Sequence, residues 1–258
     1  MITPKNVDDN LTISHMDLSK AKLLAIIPAY NEENSVANVI RDIRREIPEM
    51  DVLVINDQST DATEAVLRKN HINHLTLTNN LGIGGAVQAG LLYALRHQYD
   101  YTVQVDGDGQ HPAGNIRELL QALVDNRADI VIGSRYLTSQ QRVSSLARRM
   151  GGGLLSTWIR LVTGVRVTDP TSGFRALNAR AIRFLSQHYP QEYPEPISII
   201  DVLQNGLSLR EIPVTMRSRA HGQSSIQGLN TFFYMVKVMF AILIAKFRRG
   251  EKACLKLH

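Results

Sequence analysis

YTVQVDGDGQHP, residues 101 to 112, joins a strand-forming segment to an acidic bend. Val103 and Val105 are β-branched, and Tyr101 and Thr102 also favour strands. Asp106 and Asp108 follow, separated by Gly107 and trailed by Gly109. A carboxylate pair on a glycine-rich bend at a strand end suits a hard divalent cation. Mg²⁺ and Mn²⁺ prefer oxygen ligands, and Mg²⁺ takes one or two carboxylates together with waters and substrate phosphates. The glycines permit a tight turn, so the spacing predicts that both carboxylates and Gln110 face one point. A polar turn that merely ends a strand is the plain alternative, because Asp-Gly pairs are common in turns.

Upstream, the pattern alternates. LLAIIP at 23–28 is a short apolar run, as in a strand buried on both faces, and a helical stripe of Val36, Val39, Ile40 and Ile43 follows. DVLVIN at 51–56 is a second strand, with a helix to about residue 69, and a weaker strand spans residues 74–78. A helix to about residue 97 precedes Tyr101, and another from about 113 to 126 precedes a strand at 129–132. Strand and helix in alternation predict a parallel, doubly wound α/β sheet. In such sheets ligands bind beyond the carboxyl ends of the strands. The polar breaks at 28–34, 57–61 and 106–110 all fall there, so three acidic, amide-rich loops gather on one edge.

Composition narrows the classes. The chain has 258 residues, 44% of them hydrophobic, with a net charge of +5 and one cysteine. An intramolecular disulfide is excluded, and no Cys and His cluster suggests structural zinc. Residues 1–20 are polar and lack a secretory core, so they read as a flexible extension. Basic residues cluster at 142–149, 210–219 and 246–252. Such surfaces attract phosphorylated molecules or anionic lipid. No aromatic-interleaved basic stretch points to nucleic acid. LGIGGAVQAG at 81–90 fails the dinucleotide fingerprint, since Val87 stands where the third glycine belongs. Its glycines suit close packing instead.

TFFYMVKVMFAILIAKF at 231–247 is almost wholly apolar yet falls short of the roughly 20 residues of a membrane span. With Arg248, Arg249 and Lys252 after it, it predicts an interfacial helix, or one that pairs with another subunit in a homo-oligomer. A helix packed on the core is the alternative. Trp158 reads as packing, and YPEP at 193–196 either as a turn set by its prolines or as a segment that faces Glu195 to an acceptor.

Taken together, PAYNEE at 28–33, the Asp57 loop, VDGDGQHP at 105–112, GSRY at 133–136, DPTSGFR at 169–175 and EIPVTMRSRAHGQSS at 211–225 resemble the inverting family 2 glycosyltransferases of the GT-A fold. The resemblance is strongest to the dolichol-phosphate mannose synthase and bacterial polyprenyl-phosphate sugar transferase branch. It implies a GT-A domain, a Rossmann-like, mostly parallel sheet flanked by helices, over residues 21–228 and an apolar, basic helical tail over 229–258. It implies Pro28, Tyr30, Glu32, Asp57, Asp106, Arg135, Arg149, Arg219 and Ser224 around a nucleoside diphosphate sugar. Asp106, Asp108 and Gln110 would hold Mg²⁺ or Mn²⁺. Ser172, Arg175 and Glu195 would lie on the acceptor side. Asp169 is the candidate base if the acceptor is a hydroxyl, or else a turn residue orienting Arg175, with Asp108 and Arg149 completing the catalytic set. The acceptor would be a polyprenyl phosphate or a lipid-linked glycan. The expected donor is a uridine rather than guanosine sugar, in bacterial cell-surface polysaccharide synthesis. The expected place is cytoplasmic, peripheral on the inner face of the membrane. Two positions depart from the pattern: Ser225 stands where relatives often carry Lys, and Gly151–Gly153 replace a serine after the paired arginines. An inactive, nucleotide-binding member with a regulatory role is the competing expectation.

Overall fold

The computed structural model describes residues 18–137, 146–217 and 236–247, with side chains of 146–150 excepted. Its sheet has seven strands: β1 (Leu23–Ala29), β2 (Asp51–Asn56), β3 (His74–Thr76), β4 (Tyr101–Gln104), β5 (Ile130–Ser134), β6 (Arg175–Asn178) and β7 (Leu209–Pro213). Their order is β3-β2-β1-β4-β6-β5-β7. All pairings are parallel except those of β6, which runs antiparallel to both β4 and β5.

The strands alternate between two cores. Leu23, Ala25 and Ile27 of β1 face α1 (Val36–Glu46) and α4 (Ile116–Asp125). Leu24 and Ile26 face α3 (Gly82–Arg96) on the other side. That second core also takes in α5 (Leu146–Thr163), α6 (Ala179–His188) and α7 (Pro194–Gln204). Residues 236–247 are helical, here α8, and bury Val238, Ile242 and Ala245 in it. The short α2 (Thr63–Lys69) caps the first core through Leu67.

The predicted strands at 23–28, 51–56 and 101–106 and the helices between them are present. The glycine-rich stretch is a packing device: a Cβ on Gly90 would sit 2.4 Å from Ile26 Cγ2, so only glycine lets α3 lie this close on β1. Two elements depart from the sequence reading. DPTSGFR runs into β6, the one antiparallel strand of a sheet that is otherwise parallel, in keeping with the mostly parallel GT-A sheet expected. RALN carries no β-branched residue, so nothing local marks it; it is a strand because β4 and β5 flank it. YPEP is not a turn but the start of α7, where Pro194 occupies the first helical position and its missing N–H costs nothing.

Candidate active site

At the carboxyl edge of the sheet, side chains knit the β1 and β2 loops together. Asn31 Oδ1 accepts from Thr60 N at 2.8 Å, Glu32 N donates to Thr63 Oγ1 at 2.8 Å, and Glu33 Oε2 accepts from Ala62 N at 2.9 Å. Asp57 is buried and accepts from Leu81 N at 2.7 Å, which fixes the entry to α3. Pro28 lies within β1, and Tyr30 is half exposed at the loop tip. These residues therefore form one rigid wall, with the nucleotide candidates Pro28, Tyr30, Glu32 and Asp57 on it.

The next loop carries Asp106 to Gln110. Asp106 N donates to His111 Nδ1 at 2.9 Å, and His111 Nε2 lies 3.4 Å from Asp106 Oδ2. An accepting Nδ1 places the ring proton on Nε2, toward the carboxylate. His111 is itself clamped by stacking on Phe174, 4.8 Å away. The Asp106 side chain remains 37% exposed, and its Oδ1 accepts nothing among the described residues. Gly173 presses against it: a Cβ there would meet Asp106 Oδ1 at 3.2 Å and Gln104 Nε2 at 3.1 Å.

Asp108 differs. It is only 5% exposed, accepts from Gln110 N at 2.9 Å, and borders a cavity of about 220 Å³ against α1. Asp42, Asn38 and Arg217 line the same cavity. Arg217 joins the walls: its N–H donates to Gln110 O at 2.9 Å and its Nη1 to Asp42 Oδ2 at 2.9 Å. Asp106 and Asp108 thus have different neighbours. Asp106 opens toward Gly173 and Asp108 toward α1. Among the described residues, no three His, Cys, Asp or Glu side chains form a metal cage. Two carboxylates and an amide oxygen nevertheless fit a hard cation that draws its other ligands from water and substrate phosphate.

Across from Asp106, Asp169 is fully buried and gripped by Arg135. Nε to Oδ2 and Nη2 to Oδ1 are both 2.7 Å, and Arg135 N adds a bond to Oδ2 at 2.9 Å. Arg135 Nη2 also reaches Thr171 Oγ1 at 2.8 Å. Its Nη1 has no hydrogen-bond partner among the described residues. Burial works against charge on Arg135, but the bonds to Asp169 outweigh it and hold the guanidinium above its ordinary value; Asp106 adds to that attraction. From β7, Glu211 accepts from Thr168 N at 2.7 Å and Asp169 N at 2.8 Å, which fixes the turn. Sequence reasoning quoted Glu211 in a motif without giving it this job.

The base role expected for Asp169 is therefore corrected: its oxygens are spent on Arg135 and shut off from solvent. Ser172 and Arg175, expected to face an acceptor, are buried too. Ser172 Oγ donates to Gly133 O at 2.7 Å. Arg175 donates to Ser172 O at 2.7 Å, Ser198 Oγ at 2.8 Å, Glu195 O at 3.0 Å and Pro170 O at 3.3 Å. Both form the floor of the site. Glu195, in the first turn of α7, is half-buried above that floor. Burial pushes its carboxyl up, with Arg175 partly offsetting the shift and Asp106 adding to it. Arg219 and Ser224 lie outside the described residues, and of Arg149 only its place on α5 is given.

Comparison with known proteins bears on the family and the fold. Residues 24–184 match the family model described as glycosyl transferase family 2. The chain is 32% identical over 218 residues to an undecaprenyl-phosphate mannosyltransferase of Micrococcus luteus, covering 80% of this chain and 88% of the relative. It is 28% identical to a UDP-N-acetylglucosamine–dolichyl-phosphate N-acetylglucosaminyltransferase of Methanococcus voltae, covering 82% and 93%. In structure it is similar to glucosyl-3-phosphoglycerate synthase from Mycobacterium tuberculosis, solved with Mn²⁺, uridine diphosphate and phosphoglyceric acid. The TM-score is 0.66 at 21% identity, over 88% of this chain and 79% of that one.

Proposed function

The chain belongs to glycosyl transferase family 2, and on that premise we propose that it moves a hexose from a nucleoside diphosphate sugar to a polyprenyl phosphate. It is a glycosyltransferase with the GT-A fold. The proposed reaction inverts the anomeric centre and serves cell-surface polysaccharide synthesis in a bacterium. Residues 21–228 would form the catalytic domain and 229–258 a docking tail, peripheral on the inner face of the membrane. Among the described residues no helix is long and apolar enough to cross a membrane.

The observation that carries the acceptor class is the commitment of Asp169 to Arg135. A hydroxyl nucleophile must lose a proton to a positioned base as it attacks. A phosphate arrives already anionic. With Asp169 closed off, an acceptor that brings its own charge suits the site better. The names of the Micrococcus and Methanococcus relatives give the same acceptor class, a lipid phosphate. A lipid-linked glycan is the second reading, and Glu195 supports it: a carboxyl pushed up by burial is a stronger base than an ordinary one.

The arrangement assigns each residue a task. The β1–β2 wall holds the nucleoside, with Tyr30 at its mouth. Arg135, fixed in place by Asp169, turns Nη1 toward the donor phosphates. A guanidinium oriented before the reaction stabilises charge as it grows, without reorganising. Asp106, Asp108 and Gln110 would hold Mg²⁺ or Mn²⁺, which when bound neutralises charge on the leaving diphosphate. Arg149, Arg219 and Ser224 remain further phosphate contacts. Uridine is favoured over guanosine, in keeping with the UDP donor named for the Methanococcus relative and the UDP bound in the fold neighbour.

The test is transfer from UDP-glucose, UDP-N-acetylglucosamine and GDP-mannose to undecaprenyl phosphate, with Mn²⁺, with Mg²⁺ and with a chelator. Turnover with one UDP sugar, lost on chelation and regained with either ion, is the expected result. Turnover with GDP-mannose alone would replace the donor. Nucleotide binding without turnover on any acceptor would favour the inactive, regulatory reading.

A further inference from the structure

Strand β4 carries two polar side chains into an apolar core. Side chains alternate along a strand, and Tyr101, Val103 and Val105 face the core under α1 and α4. Thr102 and Gln104 therefore face the other core, beside Val87 and Leu91 of α3 and Leu185 of α6. On an antiparallel sheet such an alternation would mark a wet face, but helices cover both faces of this one. Thr102 is fully buried and Gln104 is 3% exposed. Neither Thr102 Oγ1 nor Gln104 Nε2 has a hydrogen-bond partner among the described residues. No other buried side-chain nitrogen or oxygen among those residues is left so.

Both side chains line one internal cavity of about 10 Å³. Its wall is otherwise mostly aliphatic, but it includes two more polar residues, Tyr189 and Arg175, and both are incompletely bonded. Tyr189 Oη donates to Gln104 Oε1 at 3.5 Å, against about 2.7–2.8 Å for a well-formed O–H···O bond. Arg175 has five N–H groups. It donates one each to Ser172 O, Ser198 Oγ, Glu195 O and Pro170 O, which leaves one on Nη1. Four polar groups thus border a space the size of one small molecule.

We propose that this cavity is a binding site for a single ordered water, held by Thr102, Gln104, Tyr189 and Arg175. Water is the occupant whose chemistry matches the wall. It donates two hydrogen bonds and accepts two, and a buried water typically makes about three. Gln104 Nε2 and Arg175 Nη1 only donate, so they need an acceptor. Thr102 Oγ1 and Tyr189 Oη have lone pairs that can take a donor. A metal cation would face the guanidinium charge of Arg175 and the N–H groups of Gln104. A polyatomic anion is too large for about 10 Å³. Cavities that stay dry are lined by apolar groups alone, and this one is not. The water has a place in the architecture of the site. Gln104 ends β4 two residues before Asp106, and Arg175 forms the floor. A water bonded to both ties the acidic loop to that floor, whichever donor and acceptor the enzyme uses.

Two measurements on the full chain test this. A crystal structure of the wild type should show one density peak within about 3.2 Å of both Thr102 Oγ1 and Gln104 Nε2. An empty cavity, in a map that resolves other buried waters, would overturn the proposal. So would a peak at the short distances of a bound metal. The second measurement reads a sign. Thr102→Val keeps the side-chain shape and removes the hydroxyl. With a water in place, the variant leaves that water short of a partner, and the melting temperature should fall by about 2–4 °C. In a dry cavity the same change replaces an unpaired hydroxyl by a methyl group, and the melting temperature should rise. Gln104→Met should also lower it. The double variant should lose less than the two single losses added together, because both act on one water. Two rises, or two strictly additive falls, would overturn the shared site. Should a variant fail to fold, the wild-type map still decides.

Discussion

Two aspartates at strand or turn ends, Asp106 and Asp169, look alike in sequence and differ in everything the fold gives them. Each stands in a polar, glycine-containing loop. Asp106 keeps an open carboxylate with one oxygen uncommitted among the described residues. Asp169 is fully buried and accepts three bonds from Arg135. The first can serve as a ligand. The second is scaffold, and its effect on chemistry passes through the guanidinium it orients. Burial and prior partners, not residue type, separate the two roles.

Asp169→Asn should break this comparison most severely. It leaves Arg135 charged and mostly buried without its partner, a loss of about 3–5 kcal/mol for a buried pair. Urea denaturation measures it. If Asp169 were simply a base, the variant would lose turnover and keep its stability.

Asp106→Asn should do the opposite. Its side chain is half-buried at the surface, so stability should hold to within about 0.5 kcal/mol. Turnover should fall by on the order of 10²–10³-fold, as when one preorganised electrostatic group is removed. A melting curve beside the transfer assay separates the two effects.

Gly173→Ala sits between them. The new Cβ would crowd Asp106 Oδ1 and Gln104 Nε2, both closer than ordinary contact. Overpacking of this kind costs about 1–3 kcal/mol. Because Asp106 is the group that can yield, the loss should be mainly of turnover and of metal affinity, read by titrating Mn²⁺ against rate.

Glu195→Gln carries the smallest effect, and it depends on pH. The folded carboxyl is pushed above its ordinary value, so the fold favours the neutral form. Stability tied to that form is complete below the unfolded value and is lost as pH rises through the folded one. The amide should therefore melt higher than wild type at neutral pH and match it in acid. An unchanged rate with a polyprenyl phosphate would leave Glu195 as part of the floor. A lost acidic limb in the pH–rate profile, together with a large fall in rate, would make it the base of a hydroxyl acceptor.

Much of this was legible from the chain. The runs LLAIIP and DVLVIN announce buried strands, and the breaks after them gather on one edge because parallel strands end on the same side. Motif order pointed to the family, and the spacing of Gly84, Gly85 and Gly90 to packing rather than a dinucleotide. The turn at 168–175 was legible only as a motif. Nothing local says that Glu211, some forty residues on, holds Thr168 and Asp169.

The sequence by itself therefore determined the local periods: which segments are strands or helices, and that carboxylates cluster where strands end. Those follow from side-chain spacing and backbone preference, which act over a few residues. Tertiary structure alone decided that RALN enters the sheet antiparallel between β4 and β5, that Pro194 opens a helix, and which carboxylates are shut from water. Each depends on what distant segments press against it. A strand without strand-forming residues needs neighbours on both edges, and a charge changes role once burial removes its solvent and one partner takes its lone pairs.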